Sequence, residues 1–197
     1  MHLFIDTTQD ITIGLLDDKL SWMEYQSLGS KKSSAVLHHM IFSILKKHDL
    51  EISEIKSVLY SAGPGSYTGM RVSAGITDIF HWQNIKINSF YHFKIPSYVG
   101  VESGAWISKA FKGEYFIHDW EKAEGISRLV KEAELETAIE GKVLYAGHDN
   151  YDQVDIQLTR DLIRNEPSKI FSRIIADNNY EELYYFRPLE DEYTRSK

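Results

Sequence analysis

The sequence predicts an α/β protein, one domain or two lobes sharing one core, and three observations carry this reading. Short apolar runs bounded by turn residues alternate with segments whose apolar side chains recur at helical spacing. The chain opens with strands joined by tight turns and only then enters its first long helix. Between a later strand and helix stands a glycine-rich loop, Gly63-Pro64-Gly65-Ser66-Tyr67-Thr68-Gly69-Met70-Arg71.

Along the chain, His2-Leu3-Phe4-Ile5 makes a first strand ending in Asp6-Thr7-Thr8. Ile11 to Leu16 makes a second after a polar turn, and Leu20 to Leu28 a third after Asp17-Asp18. From Ala35 to Leu45 the apolar residues Val36, Leu37, Met40, Ile41, Ile44 and Leu45 cover about half a helix circumference, wider than the minimal core stripe of about 100°. One sheet cannot bury all of that. Leu37, Ile41 and Leu45 can face the sheet, while Val36, Met40 and Ile44 face a second surface, either neighbouring helices or another chain. Val58-Leu59-Tyr60 reads as a buried strand, and Val72, Ile76, Ile79 and Phe80 fall on one face of the helix after the loop. Further helices are expected from Ile126 to Ile139 and around Ile170-Phe171-Ile174-Ile175, as cover for a reduced sheet.

The loop has a physical logic residue by residue. Gly63, Gly65 and Gly69 allow positive φ or close backbone approach, Pro64 fixes φ, and Ser66 or Thr68 can cap the first turn of the helix. A loop this tight is either a strand-to-helix turn or a cradle that aims several N–H groups at one point. It is not a P-loop, because Met70-Arg71 stand where Lys followed by Ser or Thr is required. Its G-x-G-x-x-x-G spacing also misses the dinucleotide fingerprint.

Composition bounds the partners. The 197 residues are 43% hydrophobic, enough to bury a core, and contain no cysteine, so disulfides, thiolate metal sites and a cysteine nucleophile are excluded. Asp6 and Asp10 interrupt the apolar start, so no signal peptide is expected, and no apolar run approaches the roughly 20 residues that span a bilayer. A cytoplasmic protein with no membrane partner is expected. A formal charge of −7 argues against a surface whose main task is to grip an RNA backbone, and no basic cluster is longer than Lys31-Lys32. The acidic Glu181, Glu182, Glu190, Asp191 and Glu192 read as a solvated C-terminal stretch.

Two catalytic readings fail on spacing. His38-His39 are adjacent, point about 100° apart on a helix and cannot share an ion, and the other six histidines are isolated. Ser66 directly follows a glycine and so lacks the nucleophile-elbow placement. His81 and Asp78 lie more than two turns beyond it, too far for a Ser-His-Asp arrangement.

A strand ending in Asp-Thr-Thr and running into a hairpin resembles the first phosphate loop of the actin-like, sugar kinase and Hsp70 superfamily, which implies the actin-like ATPase (ribonuclease H-like) fold. With Gly63 to Arg71 added, the chain resembles the TsaB (YeaZ) family, the accessory subunit of bacterial tRNA threonylcarbamoyladenosine synthesis. Phe4-Ile5-Asp6-Thr7-Thr8 and all nine loop residues match that family's pattern. Later matches are weaker: Ser108 replaces the leading Asp of a central motif running to Phe116, Leu183-Tyr184-Tyr185-Phe186-Arg187 echoes a terminal one, and Lys32-Ser33-Ser34 replaces Arg-x-His-Ser-Glu. The resemblance implies two lobes with mixed sheets flanked by helices, placed at residues 1–95 and 96–197, the second divergent and shortened.

The resemblance implies a non-catalytic scaffold that pairs with a TsaD-like enzyme, admits a TsaE-like ATPase, forms a homodimer when alone and meets tRNA only through the complex. It implies no cofactor of its own, ATP and metal being expected on the partner enzyme, whose metal-binding histidine pair has no counterpart here. It also tips the second helix surface toward a partner face, made of Val36, Met40 and Ile44 with Met70 and Arg71. The alternative is a small actin-like phosphotransferase or ATP-binding protein using Asp6, Thr7 and Thr8. Such a protein needs a second phosphate loop, and the sole candidate, Ala146-Gly147-His148-Asp149, has a single glycine.

Overall fold

The computed structural model describes residues 1–29, 33–110, 113–122, 124–147 and 155–186. Lys31, Lys32, His148, Asp149, Arg187, Glu190, Asp191 and Glu192, singled out above, lie outside them. In chain order the elements are β1 (His2–Asp6), β2 (Ile11–Leu16), β3 (Trp22–Leu28), α1 (Ser33–Lys47), β4 (Ser57–Gly63), α2 (Tyr67–Trp82), β5 (Lys86–Tyr91) and α3 (Ile95–Tyr98). They continue as β6 (Ser103–Lys109), β7 (Glu114–Glu121), β8 (Glu124–Lys131), α4 (Glu132–Ile139), β9 (Leu144–Ala146), β10 (Ile156–Leu158), α5 (Thr159–Asn165) and α6 (Pro167–Ala176).

Two compact units result, one of residues 1–91 with 164–184, the other of residues 92–163 with the described residues after 184. The first unit carries a five-stranded sheet in the order β3-β2-β1-β4-β5. β1, β2 and β3 form an antiparallel meander, while β4 and β5 run parallel to β1. One face buries Leu3, Ile5, Ile13 and Leu15 against Leu37, Ile41, Ile44 and Leu45 of α1 and Phe80 of α2. The opposite face is aromatic. The Phe4 ring lies 5.5 Å from Trp22, 6.4 Å from Phe90 and 5.5 Å from Phe171, the last supplied by α6. Gly14 makes room for Trp22, since a Cβ there would stand 2.3 Å from the indole. After α6 the chain runs along β5 and β4: Ser89 N–H donates to Asn179 O at 3.1 Å and Tyr184 N–H to Ala62 O at 2.9 Å.

The second unit carries a sheet in the order β10-β9-β6-β7-β8, with β6, β7 and β8 antiparallel and β9 parallel to both β6 and β10. Ile107, Ile117, Val130 and Leu144 on one face pack against Leu135, Ala138 and Ile139. On the other face His118 stacks on Phe93 at 4.1 Å, and burial pushes its imidazole down to about 4.

Two expectations are corrected here. Ile126 does not open a helix: Glu124–Lys131 is β8, and α4 begins only at Glu132. Ile126 and Val130, four apart, share their spacing with both kinds of element, and pairing of Ile126 with Asp119 and of Val130 with Tyr115 decides for the strand. The chain passes from the first unit to the second between Tyr91 and His92, and residues 164–184, with the α6 helix expected to cover the second sheet, return to the first unit. Apolar Ile170, Phe171 and Ile174 bury there rather than in the second lobe.

Candidate functional site

β1 ends in Asp6, and β4 ends in Gly63, one strand over and parallel, so the sheet delivers the Asp6-Thr7-Thr8 turn and the glycine-rich loop side by side. Gly63 adopts φ 116°, and the Gly63–Pro64 peptide is cis. Ser66 is the N-cap of α2, its Oγ accepting the Gly69 N–H at 3.2 Å. Thr68 is exposed.

The two loops bond to each other. Ser66 N–H donates to Thr8 O at 2.5 Å. Thr7 Oγ1 donates to Gly69 O at 2.6 Å and meets Ser73 Oγ at 2.5 Å. Asp6 Oδ1 accepts from both Thr8 N–H at 2.9 Å and Thr8 Oγ1 at 2.7 Å. Asp6, Thr7 and Thr8 are all buried. Two of the three glycines are required by this contact, because a Cβ on Gly65 would stand 2.4 Å from Thr8 O and one on Gly69 1.9 Å from Thr7 O. Three N–H groups of the loop and the first turn of α2 are thus engaged: Ser66 with Thr8, Gly69 with Ser66 Oγ, and Met70 with Ser66 O. Ser73, invisible to a motif search, completes the junction and is fully buried. Residues 178–184 reach the same place, where a Cβ on Gly63 would meet Tyr184 O at 3.2 Å.

A serine-nucleophile arrangement is incompatible with this geometry. Ser66 caps α2, and His81 is fifteen residues along the same helix, about 22 Å away. Among the described residues no three His, Asp or Glu groups gather as for a metal, and no helix is long and apolar enough to cross a membrane.

The helix pair presents a different exposed surface from the one expected. Ile44 is 0% and Met70 1% exposed, so both are core, and Met70 fills the space beside Gly63. Val36 and Met40 are half-buried against the same core, and Arg71 is exposed, its guanidinium 4.9 Å over the Tyr67 ring. Periodicity gave the width of the apolar arc but not the neighbour each side chain meets. What stays exposed is Phe42 at 62%, Ile79 at 50% and Trp82 at 77%. Phe42 and Ile79 border a groove of about 500 Å³ floored by Ile41, Leu45, Ile76 and Phe80.

Two five-stranded mixed sheets flanked by helices, with the paired loops at the ends of β1 and β4, define the actin-like, ribonuclease H-like ATPase fold. Within that class the chain resembles YeaZ (TsaB) in structure along almost its whole length. It superposes on an uncharacterized protein with similarity to peptidase YeaZ from Pseudomonas aeruginosa with TM-score 0.67 and 14% identity, covering 94% of this chain and 99% of that one. On YeaZ from Pseudomonas aeruginosa the TM-score is 0.61 at 12% identity, covering 87% of this chain and 89% of that one. Residues 27–87, from the end of β3 through the glycine-rich loop to β5, match the family described as TsaD, tRNA N6-adenosine threonylcarbamoyltransferase.

Proposed function

We propose that this chain is a non-catalytic scaffold subunit that pairs with a TsaD-like enzyme and supports threonylcarbamoyl transfer to the tRNA adenosine next to the anticodon. The observation that carries it is the mutual closure of the two loops. Where an ATPase of this fold would open a phosphate site, Asp6, Thr7 and Thr8 are buried and bonded to one another and to the α2 start. A fold built for nucleotide chemistry, with that position filled by its own main chain, is suited to serve as a surface. The exposed apolar residues Phe42, Ile79 and Trp82 supply one, and a contiguous apolar patch on a soluble domain marks an interface.

In this reading the chain is cytoplasmic and carries no cofactor. ATP and metal belong to the partner, and tRNA meets the complex rather than this chain, whose net charge is −7. The test is reconstitution. A tagged TsaD-like protein from the same cell is co-expressed with the untagged chain, the captured complex is assayed for threonylcarbamoyladenosine on tRNA, and the isolated chain is titrated with ATP and Mg²⁺. Capture with modification dependent on the chain, and a flat titration, support the proposal. Binding tighter than about 10 μM with turnover by the isolated chain favours the phosphotransferase alternative instead.

A further inference from the structure

β8 is the terminal strand of the second sheet. It runs eight residues without proline, and Ile126 in its first half is 70% exposed. A terminal strand of that length offers a row of main-chain N–H and C=O groups to any further strand, and a bare isoleucine adds apolar area to the invitation.

We infer that this edge pairs with its own copy: β8 of one molecule lies antiparallel to β8 of a second, about a two-fold axis normal to the sheet and passing between the two Ile126 residues. The order of charges on the strand selects both the occupant and the register. A two-fold at Ile126 sets Glu124 opposite Arg128 of the second copy, twice by symmetry, with Ile126 against Ile126. Moving the axis to Arg128 sets that arginine against itself and Glu124 against Glu132, both repulsive. Moving it to Ser127 leaves Glu124 opposite Val130. Opposite charges directly across an antiparallel pair stabilise it and like charges oppose it.

The hydrogen-bonding phase agrees with this register. Glu121 pairs with Glu124 with only two residues between them in the chain. The pair flanking such a two-residue loop is hydrogen-bonded, so Glu124, Ile126 and Arg128 turn their main-chain groups toward β7 while Gly125 and Ser127 turn theirs outward. Gly125 and Ser127 then exchange bonds across the axis, and Ile126 becomes a close, non-hydrogen-bonded pair with Cα atoms about 4.5 Å apart. Arg128 already bonds Asp119, and with five donors its guanidinium serves a second carboxylate as well. This inference uses the second unit alone and does not rest on the function proposed above.

Absence of cysteine makes the test specific. Ile126→Cys places two cysteines at the axis with their Cα atoms at a separation inside the disulfide range of about 4.4–6.8 Å. Mild oxidation of the full chain is expected to give a covalent dimer from this variant, while Val143→Cys, 52% exposed in the same unit, stays monomeric. Without crosslinking, sedimentation should show a dimer weakened about tenfold by Arg128→Glu and restored by Glu124→Arg/Arg128→Glu, the double reversal that rebuilds both pairs. Circular dichroism of each variant reads folding separately. No faster crosslinking at 126 than at 143, a native chain that stays monomeric, or a dimer that Trp82→Glu abolishes and Arg128→Glu leaves intact would each overturn the inference.

Discussion

Gly69 lies directly against the carbonyl of Thr7: a Cβ added there would stand 1.9 Å from that oxygen, and Thr7 Oγ1 donates back to Gly69 O at 2.6 Å. The obstructing atom is backbone on a buried strand end and cannot swing away. Gly69→Ala is therefore expected to cost about 3 kcal/mol or more, the upper range for forced overpacking. Gly75, six residues on in the same helix, is exposed, and a methyl group added there would meet nothing within 4 Å. Gly75→Ala should raise stability by about 0.5–1 kcal/mol through helix propensity. Urea denaturation of both variants checks the contrast, and equal effects would remove the close-approach argument.

Thr7 tests whether the first loop is structural. Its hydroxyl joins Gly69 O and Ser73 Oγ, and all three sit out of solvent. Thr7→Val leaves two buried polar groups short of a partner and should cost about 1–3 kcal/mol. Adding Ser73→Ala removes one of the orphans, so the double variant should lose less than the sum of the two single changes. Strict additivity in the denaturation curves would show that the two hydroxyls do not form one network.

Glu24 gives a pH prediction. Lys47 at 2.8 Å, with Gln26 and His48 adding hydrogen bonds, holds its carboxylate down at about 2 against an ordinary 4.5, burial opposing the shift. A carboxylate depressed in the folded state contributes stability that is fully present above the unfolded value and is lost as pH falls through the folded one. The stability gap between the native chain and Glu24→Gln should thus be constant above about pH 4.5 and close between there and about pH 2. Denaturation of both proteins across that range measures it, and a gap independent of pH would mean the ion pair contributes nothing.

Much of the first unit was legible because its residues carry individual conformational demands. Nine contiguous loop positions fix turn, cap and close approach, and Ser66 caps α2 as its type and place suggest. The aromatic face was not legible, because Phe4, Trp22, Phe90 and Phe171 come together only through the sheet order and the return of residues 164–184. β8 was misread because apolar residues spaced four apart satisfy a helix as well as a strand, and only pairing with β7 decides. The closure of the two loops was half visible: the glycines announced a close approach, while the threonine they approach was named for another role.

The helix pair offers the decisive probe of the partner surface. Met40 is half-buried against the core, so a charge there would confuse folding with binding. Trp82 is 77% exposed at the end of α2, and Trp82→Glu should change stability by no more than about 0.5 kcal/mol, as surface substitutions do. In a complex that covers it, the same glutamate would be buried without a counterion and should weaken capture of the TsaD-like protein by several kcal/mol. Ile44→Glu is the opposite case, because a side chain with no solvent exposure cannot accept a charge without loss of the fold. Thermal melts and pull-downs on the two variants separate the roles. If Trp82→Glu melts with the parent and still captures the partner at full strength, the surface built on Phe42, Ile79 and Trp82 is not the interface.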